Sequence, residues 1–346
     1  MKAYTYRPAL SPRQSLTFHT SVPRPVLPAG STCILLRITH VALNPADLVC
    51  LRLLPSWLPL VRTDPVPVMD FAGEIVSIGE GVNNSGNDME FSQSLHVGDL
   101  VCGAVGLKEV FTGRGTLAEY VAVESGLVAK VPATWTGREA AGVMGIAGQT
   151  ALAMVNQVLA DGRHDMEGMR VLINGASGGV GTVLVQICKG FGALVVAVCS
   201  RAGEEIVKEL GADETVDYRA HDSLEDAIAM QYGQHQFDAI FDCVGTQTLY
   251  EQSPRYLKPQ GQFVNIVGGP SQGVVPFVRN KLRPSFLGGT PRNYSLFLLS
   301  ASGRTARDVA ALVEKGVIKT AVIDSEFPME QAAEVRSTSQ VEILRY

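Results

Sequence analysis

The run Val171-Leu-Ile-Asn-Gly-Ala-Ser-Gly-Gly-Val-Gly181 constrains this chain more than any other feature. Apolar residues lead into it, and Thr182-Val-Leu-Val-Gln-Ile-Cys-Lys-Gly190 follows. The pattern predicts a buried strand, a glycine turn and a helix. Gly175 and Gly178 are expected to allow the tight turn, and Gly179 to let the backbone approach a pyrophosphate. Gly181 is expected to let helix and strand pack closely. The helix start offers free N–H groups and a partial positive charge to such a phosphate, so Ser177, Gly178, Gly179 and Val180 are candidate cofactor contacts. A bare glycine turn is the competing reading. The second apolar run, Leu194-Val-Val-Ala-Val-Cys199, follows at the distance a dinucleotide-binding unit needs.

Cofactor choice is read at the end of that second run. A site for NAD usually places Asp or Glu there, on the ribose 2′-hydroxyl. This chain has Ser200-Arg201. A hydroxyl and a planar guanidinium suit a 2′-phosphate, which predicts NADPH over NADH. The alternative makes Arg201 a solvated loop residue. Glu204 and Glu205 come later and suit the first turn of a helix. Ligands of parallel sheets lie at the carboxyl ends of strands, so Val244, Gly245, Val267 and Gly268 are expected to offer backbone groups to the nicotinamide half.

The chain has 346 residues, enough for two domains or one large one. Its hydrophobic fraction of 46% and charged fraction of 18% fit a globular protein with a sizeable core. A net charge of −5 without a basic cluster gives no support for nucleic-acid binding. Six scattered cysteines form no CxxC pair and read as reduced thiols of a cytoplasmic protein. The N-terminus lacks an apolar signal core, and no apolar stretch is long enough to span a membrane. The stretch 51–61 is apolar but broken by Pro55 and Pro59, and it reads as a lip over a pocket. Trp57 within it is a candidate apolar wall for substrate.

Residues up to about 125 read as β-rich, with strand-like runs at 32–41, 71–78, 100–104 and 116–123. Residues 138–155 look like one helix. Strands and helices then alternate to about 267, which predicts a parallel sheet covered on both faces. A helix at 305–315, a strand at 322–327 and a helix at 329–336 are expected near the end. The polar stretch 81–96 reads as a surface loop.

Several segments resemble the medium-chain dehydrogenase/reductase superfamily, and more narrowly its zinc-free quinone oxidoreductase and enoyl reductase branch. They include Ala42-Leu-Asn-Pro-Ala-Asp47, Asp70-Phe-Ala-Gly-Glu-Ile-Val76, Val97-Gly-Asp-Leu-Val101, Gly115-Thr-Leu-Ala-Glu-Tyr120, Phe241-Asp-Cys-Val-Gly245 and Leu257-Lys-Pro-Gln-Gly261. The resemblance covers nearly the whole chain and implies an α/β protein. It implies a GroES-like β-rich catalytic domain (1–125) and a Rossmann doubly wound parallel-sheet domain binding NADPH (126–270). A C-terminal segment (271–346) would return to the first. It also implies that Tyr218 lies near the adenosine 2′-phosphate, unless it is a core aromatic, and that a homodimer could form around 261–267.

Zinc-dependent relatives carry a Cys where this chain has Asn44, a His-Glu pair where it has Met69-Asp70, and a further ligand near Ile146. Amide and thioether groups do not replace thiolate and imidazole at tetrahedral zinc, so no metal is expected. Without one, the chemistry reduces to aligning a nicotinamide hydride with a quinone or an α,β-unsaturated carbonyl, including a polyketide-type enoyl group. The resemblance places Asn44, Asp47 and Thr150 at the catalytic cleft. Asn44 would orient substrate or nicotinamide, Asp47 would act there or brace the loop, and Thr150 would bond the ring or ribose or pack beneath it. No proton donor stands out, and solvent can serve.

Two features depart from the family. Val68 stands where a glycine is usual, and a β-branched residue takes a positive φ only at a cost. The end of the chain lacks the usual Gly-Lys turn, leaving Val341, Ile343 and Leu344 to form a shortened strand and putting closure of the catalytic domain in doubt. Both features motivate an alternative function, an NADPH-binding protein with little redox turnover and a non-redox or partner-binding role.

Overall fold

The structure, a computed structural model, describes residues 1–6, 16–47, 65–82, 94–159, 162–267, 280, 287–297, 301–333 and 342–345. Trp57, Gly268 and the whole stretch 51–61 lie outside these residues, as does most of 81–96. Along the chain the strands are β1 (Ala3–Tyr6), β2 (Leu16–His19), β3 (Cys33–Leu43), β4 (Asp70–Ile78), β5 (Leu100–Ala104), β6 (Tyr120–Glu124) and β7 (Val128–Lys130). They continue as β8 (Arg170–Asn174), β9 (Leu194–Cys199), β10 (Glu214–Asp217), β11 (Phe237–Asp242), β12 (Leu257–Asn265), β13 (Asn293–Leu296), β14 (Ser325–Pro328) and β15 (Glu342–Arg345).

The chain divides into two compact units. The first comprises Met1–Gln149, Ser300–Lys315 and Ala321–Tyr346, and the second comprises Thr150–Leu299 and Gly316–Thr320. The boundary expected at 125/126 therefore differs from the observed one at 149/150. The reason is packing: the helix Gly137–Val143 lies against β3, β4 and β5. That helix is fixed at its start by a capping box, in which Thr136 and Glu139 each satisfy the other's backbone N–H.

In the first unit the main sheet has the order β14-β15-β3-β4-β5-β7, with β6 also pairing β3. Alternating inward residues supply its core, where Ile34, Leu36, Phe71, Ile75, Val101 and Val128 are fully buried. Each such side chain contributes roughly 1.5–3 kcal/mol relative to exposure. The end of the chain, doubtful from sequence, does close this sheet. Glu342–Arg345 pairs antiparallel with β3 and parallel with β14. The expected strand at 322–327 lies instead at Ser325–Pro328; of the helix expected at 329–336, Met329–Gln331 forms a 3-10 turn, and 334–336 lie outside the described residues.

In the second unit six parallel strands run in the order β10-β9-β8-β11-β12-β13. Numbered within the unit this is 3-2-1-4-5-6, the order of a dinucleotide-binding sheet. The strands are near-continuous apolar runs because both faces are covered. Tyr250, Phe263 and Tyr294 interlock on one face, with ring centroids 4.7–6.0 Å apart. Strand β12 is flanked by β11 and β13 and so lies inside the sheet. Among the described residues the edge on that side is β13.

The single helix expected over 138–155 is broken into Gly137–Val143 and Ile146–Val158. At the break the Asp70 carboxylate accepts the Ile146 N–H (2.8 Å), and a Cβ on Gly145 would overlap that carboxylate. A distant side chain thus interrupts a helix that local propensity favours. The five described cysteines are free thiols, and among the described residues no helix is long and apolar enough to cross a membrane.

Candidate active site

In the second unit the glycine run forms the turn between β8 and the helix Gly179–Gly190. Gly175 takes φ +80°, the left-handed conformation that favours glycine. The Gly175 and Ala176 N–H groups both donate to Val198 O, at 3.1 and 3.0 Å, tying the turn to the end of β9. A Cβ on Gly181 would overlap Gly175 O and lie 2.7 Å from Ala176 Cα, so this glycine sets the close approach of helix and turn. Gly178, expected to be needed by the turn, has an ordinary φ of −82°. It is the helix N-cap and contributes no side-chain cap, so the first-turn N–H groups stay available to an anion.

Ser177 faces the next turn, because a Cβ on Gly203 would come 2.7 Å from Ser177 Cβ. Ser200 begins the short 3-10 turn Arg201–Gly203, where Arg201 is exposed. Among the described residues Arg201 has no ion-pair partner. The Tyr218 N–H donates to Cys199 O (3.2 Å), which holds the backbone of this half-exposed residue at the strand end that leads into the turn. Ser177, Ser200, Arg201 and Tyr218 therefore gather at the carboxyl ends of β8, β9 and β10. Sequence reasoning missed a further cation there. Arg219 Nε donates to the Tyr218 hydroxyl at 3.0 Å, with the guanidinium 5.4 Å from the ring centroid. Its adjacency to Tyr218 was the available signal.

At the end of β11, Asp242 is fully buried. It accepts from Val244 N and Gly245 N at 3.0 Å, and from Thr246 N and Asn174 Nδ2 at 2.9 Å. Burial pushes its carboxyl above the usual range, and those four donors pull it back. The expectation that Val244 and Gly245 offer backbone groups to a ligand is thereby narrowed. Their N–H groups are occupied, which leaves their carbonyls. The Val267 N–H is likewise taken by Asn265 Oδ1 at 2.7 Å. Val180 lies in the first turn of the glycine-run helix, and Thr150 is buried on the helix Ile146–Val158.

The first unit holds a second polar cluster. Asp47 is buried and braces two segments, accepting from Asn44 N at 2.7 Å and from Met69 N at 3.0 Å. Asn44 Nδ2 donates to Asp70 Oδ2 at 2.8 Å, while Asp70 Oδ1 takes the Ile146 N–H. Desolvation pushes Asp47 up to about 7, despite its backbone donors and the Asn44 amide. Burial and then the nearby Asp47 charge drive Asp70 well above the usual carboxylate range. Val68, just before Met69, has φ +75°. Its carbonyl accepts from Thr116 N at 2.9 Å, and its side chain is buried in the core of this unit. A valine in this conformation costs about 1–2 kcal/mol. Among the described residues no group of three or more His, Cys, Asp or Glu is arranged to hold a metal ion.

These features agree with what the chain is similar to. Residues 30–133 match the alcohol dehydrogenase GroES-like domain, and residues 179–294 match the zinc-binding dehydrogenase domain. A medium chain reductase, pydE, from an Acremonium species is 32% identical, over 91% of this chain and 89% of its own length. The trans-enoyl reductase poxH of Penicillium oxalicum is 28% identical, over 96% and 92%. The quinone oxidoreductase of Coxiella burnetii superposes with a TM-score of 0.75 at 22% identity, covering 100% of this chain and 99% of that one. A mycobacterial protein solved in complex with NADPH gives 0.74 at 22% identity, covering 100% of both. The chain belongs to the medium-chain dehydrogenase/reductase superfamily. It is an oxidoreductase of that superfamily.

Proposed function

We propose that this enzyme is an NADPH-dependent, zinc-independent reductase that transfers hydride to a quinone or an α,β-unsaturated carbonyl, including the enoyl group of a polyketide-type substrate. The observation that carries the reading is the turn after β9, where Ser200 and an exposed Arg201 stand in place of a carboxylate. A carboxylate would repel a 2′-phosphate, whereas a guanidinium binds it with two parallel hydrogen bonds. The name of the trans-enoyl reductase relative and that of the quinone oxidoreductase of like fold support the acceptor class. The NADPH in the mycobacterial structure supports the cofactor.

The residues present suit NADPH. The first-turn N–H groups after Gly178 would take the pyrophosphate, and Ser177, Ser200, Arg201 and Tyr218 would surround the 2′-phosphate. When bound, the cofactor supplies the hydride. The remaining work is positioning and charge stabilisation. Asn44 would orient a ligand group. Asp47, with both oxygens on backbone N–H groups, would hold the loop that carries Asn44. Thr150 would pack under or bond the nicotinamide ring or ribose. Zinc independence rests on the donor set: the resemblance sets Asn44 and Met69-Asp70 where zinc-dependent relatives carry Cys and a His-Glu pair, with a further ligand position near Ile146, and the Asn44 NH2 is committed to Asp70. The reduced thiols favour a cytoplasmic setting.

The test is NADPH oxidation, followed by nicotinamide absorbance, against naphthoquinone, a simple enone and crotonyl thioester, after dialysis against a chelator. Turnover that survives chelation is expected. Tight NADPH binding with no turnover on any acceptor would overturn the reading.

A further inference from the structure

Asn44 sits between two buried carboxylates. Its Nδ2 donates to Asp70 Oδ2, and its amide also stabilises the ionised form of Asp47. Ionised carboxylates only accept hydrogen bonds. Asp70 cannot turn away, because Oδ1 is held by the Ile146 N–H and Gly145 packs against the carboxyl so closely that no Cβ fits. Asp47 is equally fixed by the backbone N–H groups of Asn44 and Met69. The NH2 end of the Asn44 amide faces inward, and with Asp70 ionised a 180° flip would set Oδ1 against a carboxylate oxygen. Asn44 is only half-buried, and among the described residues its Oδ1 has no partner.

We propose that Asp70 is a positioning residue that locks the Asn44 carboxamide so that its acceptor, Oδ1, is the end left for a ligand. The group recognised is then a hydrogen-bond donor, an N–H or O–H. Quinones and enones carry none, whereas a nicotinamide carboxamide and a hydroxylated substrate both do. This inference rests on the proposed function, in which Asn44 touches a ligand.

Asp70→Asn is the informative variant. It keeps the shape of the side chain, lets its oxygen accept from Ile146 N, and presents NH2 to Asn44. That reverses the Asn44 amide and withdraws the acceptor. The experiment compares wild type, Asn44→Ala, Asp70→Asn and the double variant. NADPH Kd is measured by fluorescence titration, and kcat and KM with naphthoquinone, which carries no donor, and with a hydroxylated naphthoquinone, which carries one. Each single variant is expected to weaken one binding constant about tenfold, and the double variant no further. A change in NADPH Kd identifies the cofactor amide as the donor, a change in KM confined to the hydroxylated quinone identifies the substrate, and an equal change in KM for both quinones contradicts the proposal.

If Asn44→Ala matters but Asp70→Asn does not, or if their effects multiply, the positioning role is wrong. If Asn44→Ala changes nothing, the fault lies with the reading of Asn44 as a ligand contact. Should Asp70→Asn fail to fold, side-chain amide NMR of the wild type decides. The Asn44 NH2 protons are expected to be shifted downfield and protected from exchange. Rapid exchange would contradict the proposal.

Discussion

Asp242 and Asp70 are both buried carboxylates, one in each unit, yet they are built differently. Asp242 collects four donors, three of them backbone N–H groups within four residues of it. Asp70 has two donors, and a second buried carboxylate, Asp47, raises it further. The first arrangement closes a loop at the end of a strand and leaves little acceptor capacity. The second holds an amide in one orientation and carries uncompensated desolvation. Burial alone therefore does not mark a functional carboxylate. The informative quantity is how many donors it lacks, and what it holds in place.

The largest effect that would break this comparison is at Asp242. Asp242→Ala strips partners from three backbone N–H groups and from Asn174, and should cost on the order of 2–4 kcal/mol in urea unfolding. A cost below that of an ordinary surface substitution would show that the four donors are equally well satisfied by water.

A smaller effect concerns pH. Asp47 is raised in the folded protein to about 7, against about 4 unfolded. Its contribution to stability is fully present below about pH 4 and is lost as pH rises to about 7, because the unfolded chain ionises first. Asp70 and Asp242 are shifted in the same direction, so the check is a difference. The wild type should lose more thermal stability between pH 5 and pH 7 than Asp47→Asn does. Parallel curves would remove Asp47 from the account.

The smallest effect is at Val68. Val68→Gly relieves about 1–2 kcal/mol of backbone strain but gives up a buried side chain and adds freedom to the unfolded chain. The net cost should be about 1 kcal/mol or less, whereas Ile75→Ala in the same core should cost about 2–5 kcal/mol. Equal costs would mean that the strain at Val68 is not relieved by glycine.

Much of the fold was legible in the sequence. Continuous apolar runs at β8, β9 and β11 could only be strands covered on both faces, and the glycine run fixed where the sheet meets a helix. Val68 in a glycine position pointed to strain, and φ +75° is its structural form. The helix break at Met144-Gly145 was not legible, because Asp70, distant in sequence, imposes it. The occupied N–H groups of Val244 and Gly245 also escaped. Strand-end geometry says where a ligand lies, but not that the Asp242 side chain has already taken those donors. Asn44 and Asp47 were singled out by resemblance, while their link to Asp70 depends on a pairing that only the folded sheet creates.

The most direct test of the central claim is cofactor preference. kcat/KM for NADPH and for NADH should be measured in wild type and in Arg201→Ala, with one acceptor. A strong preference for NADPH that falls by about tenfold or more in the variant is the expected result. Comparable efficiency with both cofactors, or a preference that Arg201→Ala leaves unchanged, would contradict it.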